Sequence, residues 1–104
     1  MKNEVNKEYT INLATMTSTT MPFLYQVNLM NDDFTPMEFV IGILEKFFLM
    51  NRKRATTIMM EAHMKGKASC GVFTKDVAES KVSEVLDYAR VHEHPLMCSL
   101  EAVT

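Results

Sequence analysis

Between Tyr25 and Phe48 the apolar residues change their period, and that change limits what the chain can become. Tyr25, Val27 and Leu29 alternate with Gln26 and Asn28, the pattern of a half-buried strand. Phe39, Val40, Ile43, Leu44, Phe47 and Phe48 then fall on one broad helical face. The segment from Asn31 to Glu38 must therefore turn the chain and start a helix. Thr35 suits the N-cap, Pro36 the first helical position, and Glu38 completes a capping box. Gly42 inside that helix costs roughly 1 kcal/mol relative to alanine, so packing is expected to hold it.

The rest of the chain continues in the same style. A second helix is expected from Asn51 as N-cap to Gly66 just past its end, with Ala55, Ile58, Met59 and Ala62 as its buried stripe. Arg52, Lys53 and Arg54 crowd its first turn, where the helix dipole disfavours positive charge. The cluster reads as a solvated face or a partner contact. Ala68 to Phe73 forms a second strand, with Gly71 marking a bulge or a close backbone approach. Thr74 caps a third helix carrying Ala78, Val82, Val85 and Ala89 on one side. Leu96, Cys98 and Leu100 alternate with Met97, Ser99 and Glu101 as a last strand. The expected fold is α+β, a small three-stranded antiparallel sheet packed against three helices in the order β-α-α-β-α-β.

Residues 1–21 read differently. Thr15, Thr17, Ser18, Thr19 and Thr20 cluster ahead of Met21-Pro22, with few bulky apolar residues to bury. Tyr9, Ile11 and Leu13 alternate with Thr10 and Asn12, which allows a short strand on binding; a flexible extension is the preferred reading. The core domain is expected over residues 22–104.

Composition removes several functions. At 104 residues the chain is expected to form one domain. Lys plus Arg is 11 against 13 for Asp plus Glu, so no basic field points to nucleic acid. No long apolar run follows the N-terminal lysines, so neither a secretory signal nor a membrane span is expected, and the cytoplasm is the default. Cys70 and Cys98 sit in strand-like runs without C-x-x-C spacing and read as buried, reduced thiols.

Catalysis finds little support. There is no glycine-rich phosphate loop, no G-x-S-x-G elbow and no histidine pair at metal-ligand helical spacing. Cys70 with His63 lacks a third orienting group. The more informative set is Asn31, Asp32, Asp33 and His63. The loop residues alone also fit a solvated turn, and His63 a satisfied helix-edge residue. Carboxylates and imidazole suit Zn²⁺ or Mn²⁺, so a small metal-binding domain using Asp32, Asp33 and His63 is one reading. The other is a primary ammonium, whose three N–H donors match a convergent set of carboxylate, amide and imidazole acceptors. Apolar walls from Met37, Val40 and Met59 would then hold a side chain attached to it. Ordinary core is the alternative for those three.

These residues also carry a resemblance. Asn31 to Ile41, Lys46-Phe47-Phe48, Arg54-Ala55-Thr56, His63, Gly66-Lys67-Ala68, Cys70 to Thr74, Val77-Ala78-Glu79, Lys81-Val82, Tyr88-Ala89-Arg90 and Glu93 to Leu96 resemble the ClpS family. The likeness runs from about residue 23 to 102. It implies a non-enzymatic adaptor, without cofactor or metal, that delivers N-degron substrates to the AAA+ unfoldase ClpA of the ClpAP protease and modulates its substrate choice. The substrate's α-amino group would lie at Asn31, Asp33 and His63, with Asp32 assisting. Thr35, Met37, Val40, Met59 and Leu96 would line a cavity for an N-terminal Leu, Phe, Tyr or Trp, with Met37 as a gate against β-branched side chains. Ala62, beside that cavity, stands where the family usually has Val. The N-terminal domain of ClpA would meet Asp76 and Lys81, and the N-terminal extension would be engaged by the unfoldase. Met64 replaces a common aromatic residue and Asp76 a common Glu.

Overall fold

A computed structural model describes residues 24–103. The extension expected at 1–21, the Tyr9–Leu13 alternation and the start of the core at residue 22 lie outside the described residues. Within them the chain runs β1 (Leu24–Met30), α1 (Met37–Phe48), α2 (Arg52–Lys65), β2 (Lys67–Thr74), α3 (Lys75–Val91) and β3 (Cys98–Val103). The sheet order is β2-β1-β3, with β1 central and antiparallel to both neighbours. This is the expected α+β order.

Strand alternation sends Val27 and Leu29 to the helix-covered face, where both are buried. Leu29 is flanked in register by Ala68 and Cys98, also buried. Val40, Ile41, Ile43 and Leu44 of α1, Ala55, Ile58, Met59 and Ala62 of α2, and Ala78, Val85 and Ala89 of α3 close the core over them. The stripe on α1 is wider than its sequence pattern indicated, since Ile41 is buried too.

Gly71 explains the irregularity in β2. Val27 faces Gly71 while Asn28 faces Ser69, so Cys70 is the extra residue of a bulge. Gly71 has φ 148°, and a Cβ there would come within 2.8 Å of Phe73 Cζ. The backbone angle favours glycine, and the Phe73 ring would have to move to admit a larger residue.

Helix ends agree with the sequence at some positions and depart at others. Asn51 caps α2, its side chain accepting from the Arg54 N–H at 2.8 Å, and Gly66 ends α2 in the left-handed region at φ 94°. Thr74 occupies the N-cap of α3 without a side-chain cap bond. At α1 the expected capping box does not form. Pro36 is the N-cap and Met37 the first helical residue. The Thr35 hydroxyl donates instead to Asp32 Oδ2, and Glu38 accepts from Arg52. A neighbouring carboxylate in the same loop took the Thr35 half of the box, and a guanidinium from α2 took the Glu38 half. The Glu38 pairing also gives Arg52, which the sequence left undecided, a place in the fold. Last, Leu96 precedes β3 in the loop, although it is buried as expected.

Two polar features hold the outer surfaces. On the face opposite Val27, Asn28 is only 1% exposed. Its amide donates to Glu101 Oε1 at 3.0 Å and accepts from Gln26 at 2.8 Å, and Lys67 reaches the same Glu101 oxygen at 3.3 Å. The Asn28 amide, then Lys67, hold the Glu101 carboxyl below the usual carboxylate range. At the far end of α1, the Lys81 ammonium donates to the Phe47 carbonyl at 2.7 Å and lies over the rings of Phe48 and Phe73 at 5.8 and 5.9 Å. The carbonyls of a last helical turn lack intrahelical partners, and Lys81 supplies one.

Candidate functional site

The carboxyl end of β1 leads straight into the loop that precedes α1. Here Asp32 acts first on its own neighbours. Its Oδ1 accepts from the Phe34 N–H at 3.1 Å and its Oδ2 from the Thr35 hydroxyl. That is an Asx-type turn, in which a carboxylate replaces missing backbone partners. The Asn31 N–H donates to the Gly66 carbonyl at 2.9 Å, tying the loop to the end of α2. Residues far apart in sequence, Asn31 and His63, thus meet at one place.

That place is a cavity holding about 30 Å³ of free volume. Asn31, Asp32 and His63 stand in its lining with the buried Thr35. Met37, Val40, Met59, Ala62 and Leu96 provide apolar wall. Leu29 and Met30 complete it, and the sequence pattern did not single them out for this role. The available signal was their position, since the last residues of β1 run directly into Asn31. Asp33 is exposed and lies outside the lining. Asp76 and Lys81 lie elsewhere, along a shallow groove on α3 with Val77, Ser80 and Glu84, and share no wall with the cavity.

The lining sets Asn31 and His63, whose side chains carry oxygen and nitrogen acceptors, and the charge of Asp32 beside apolar wall, a pairing suited to a polar head on an apolar body. Burial pushes the Cys70 thiol up to about 12, so a thiolate nucleophile at Cys70 is disfavoured at neutral pH. The metal reading of Asp32, Asp33 and His63 fares no better. Among the described residues no three His, Cys, Asp or Glu side chains converge as a metal site. Both Asp32 oxygens are already engaged within the turn. Among the same residues no helix is long and apolar enough to cross a membrane.

Fold and cavity together define a small α+β domain with a part-polar, part-apolar cavity at the start of α1. Residues 20–99 match the sequence model of the family described as ATP-dependent Clp protease adaptor protein ClpS. The ATP-dependent Clp protease adapter protein ClpS 1 of Rhizobium meliloti (strain 1021) is 58% identical over 87 residues, covering 84% of this chain and 74% of that protein. The ClpS of Roseobacter denitrificans is 49% identical over 100 residues, covering 96% and 88%. Among solved structures, Agrobacterium tumefaciens ClpS2 bound to L-phenylalaninamide superposes with a TM-score of 0.78 at 40% identity, covering 80% of this chain and 100% of that one. The chain belongs to the ClpS family of Clp protease adaptors, which are substrate adaptors and not enzymes.

Proposed function

We propose that the cavity binds the free α-amino group and the large hydrophobic side chain of an N-terminal Leu, Phe, Tyr or Trp, and that the protein delivers such N-degron substrates to ClpA. The observation that carries this reading is the composition of the cavity. Asn31, Asp32 and His63 stand in its lining with an apolar wall that includes Met37, Val40, Met59 and Leu96. The ligand of the similar Agrobacterium protein, L-phenylalaninamide, has the matching chemistry, an α-amino group on a benzyl-bearing carbon.

In this reading the ammonium donates to Asn31, Asp33 and His63. Asp32, with its oxygens engaged in the turn, assists through its charge. Side chains of different shape ask the cavity wall to adapt. Met37 is suited to this, being 48% exposed and unbranched. Delivery uses the N-terminal domain of ClpA against the Asp76 and Lys81 face of α3, in the cytoplasm. That surface is separate from the cavity, so substrate and unfoldase can be held together.

The test is a binding titration on one fixed peptide, varying only the N-terminal residue and its acetylation. Acetylation removes the charge and two of the three N–H donors, leaving acceptors without partners at a cost of about 1–3 kcal/mol. Acetylated Phe- and Leu-peptides should bind at least about tenfold more weakly than free ones, and chelator should change nothing. Equal affinity for both forms would remove the ammonium reading.

A further inference from the structure

Phe34 is 82% exposed, while no other phenylalanine or tyrosine among the described residues stands so far into solvent. Its position is not that of a loose loop tip. Its own N–H is held by Asp32 Oδ1 at 3.1 Å, and the hydroxyl of the next residue, Thr35, by Asp32 Oδ2. Asp32 and Thr35 are both cavity wall. Met37, three residues further on, is cavity wall on one side and 48% exposed on the other. Exposed Pro36 lies between them. The cavity rim at Thr35 to Met37 is therefore continuous along the chain with Phe34, whose backbone is fixed and whose ring stands largely in solvent. An exposed aromatic ring beside a binding cavity, on an anchored loop, is apolar surface available to a ligand.

We propose that Phe34 forms a second subsite, contacting the second residue of a substrate whose first residue fills the cavity, and that it favours a large apolar side chain there. The inference rests on the N-terminal-residue recognition proposed above. A polypeptide held by its first residue must leave through the cavity mouth. At about 3.3 Å per extended residue, its second residue lies beside this rim. The occupant is thus the substrate itself, in continuity with the cavity. Phe34 acts as a specificity residue, grading substrates that share the same N-terminal residue.

The experiment uses the full chain and two free-amine peptides that begin with Phe and differ only at position two, Leu or Ser. The wild-type protein should bind the Leu form about fivefold more tightly, the gain expected for partial burial of one aliphatic side chain. Phe34→Ser should erase that ratio while leaving the difference between free and acetylated amines unchanged. Phe34→Leu should keep part of the ratio. Because the ring is exposed, neither variant should disturb folding, which circular dichroism checks. A wild-type protein indifferent to position two would overturn the subsite. So would a Phe34→Ser protein that keeps the preference, or one that weakens both peptides equally. If neither peptide binds the wild type at all, the recognition reading itself falls and takes the subsite with it.

Discussion

Two parts of the same apolar interior are built from different side chains. Beneath the centre of the sheet, Val27, Ile43, Leu44, Ala55, Ala78 and Val85 are essentially inaccessible. Most of them are short or branched residues with few rotamers, and they fill the space between the layers. Past Val40 the wall passes to Met30, Met37 and Met59, and a cavity remains. Methionine has three rotatable side-chain bonds and a polarizable sulfur, so it lines a space without dictating one shape. The contrast separates two jobs within one core. The filled part holds the fold, and the methionine-walled part stays adaptable.

The largest test of that division is truncation on each side. Leu44 is 0% exposed, so Leu44→Ala should lower stability by about 3 kcal/mol in urea unfolding. Met37→Ala, at the half-exposed wall, should lower it by less than about 1 kcal/mol. Similar losses at both positions would mean that the cavity wall is ordinary core.

A separate effect, confined to alkaline pH, belongs to the two buried thiols. Burial pushes the Cys70 and Cys98 thiols each up to about 12 from an ordinary value of 9.0. The folded protein keeps both protons over a range in which the unfolded chain has released them. The contribution of these two thiols to stability is therefore intact below about pH 9 and declines between about 9 and 12, by roughly 1 kcal/mol per pH unit for each thiol. Unfolding midpoints measured against pH should show this, and a Cys70→Ala/Cys98→Ala protein should show a shallower alkaline decline.

Smaller in energy but sharper in meaning is the gate. Val and Ile carry a second heavy atom on Cβ, close to the backbone and to the Met37 wall. Met37→Ala should admit peptides beginning with Val or Ile, gaining on the order of 1 kcal/mol for them and little for Leu or Phe. Uniform weakening of every peptide would leave Met37 as plain wall.

The smallest effect is at Gly42. Packing through Val40, Ile41, Ile43 and Leu44 holds α1 despite the glycine, and a Cβ built at Gly42 meets nothing within 4 Å. Gly42→Ala should raise stability by about 0.5–1 kcal/mol through helix propensity, without touching either part of the interior. A loss would show that the position is packed after all.

What the sequence revealed follows from the range of the interactions involved. Periodicity located all six elements, because one buried face repeats along a strand or helix whatever it packs against. Asn51, Gly66 and Gly71 were legible because each meets a backbone demand that few residue types satisfy. Glu38 was misread because its partner, Arg52, comes from the next helix and meets it only once the chain is folded, whereas Thr35 was misread because a rival local motif, the turn built on Asp32, takes its hydroxyl. Asn28 shows the same limit. Its alternation marks a solvent-facing residue, but it is covered and hydrogen-bonded to Glu101, which lies 73 positions along the chain. The cavity was legible in most of its residue types, and Leu29 and Met30 join it only through the way β1 runs into the loop.

The bond from the Asn31 N–H to the Gly66 carbonyl sets the mouth of the cavity against the end of α2. The aligned peptide groups of a helix leave roughly half a negative elementary charge at that terminus. The electrical character of the mouth is thus supplied in part by the main chain. Replacing a side chain at the mouth therefore leaves that share of its polarity in place, because it belongs to the peptide groups of α2.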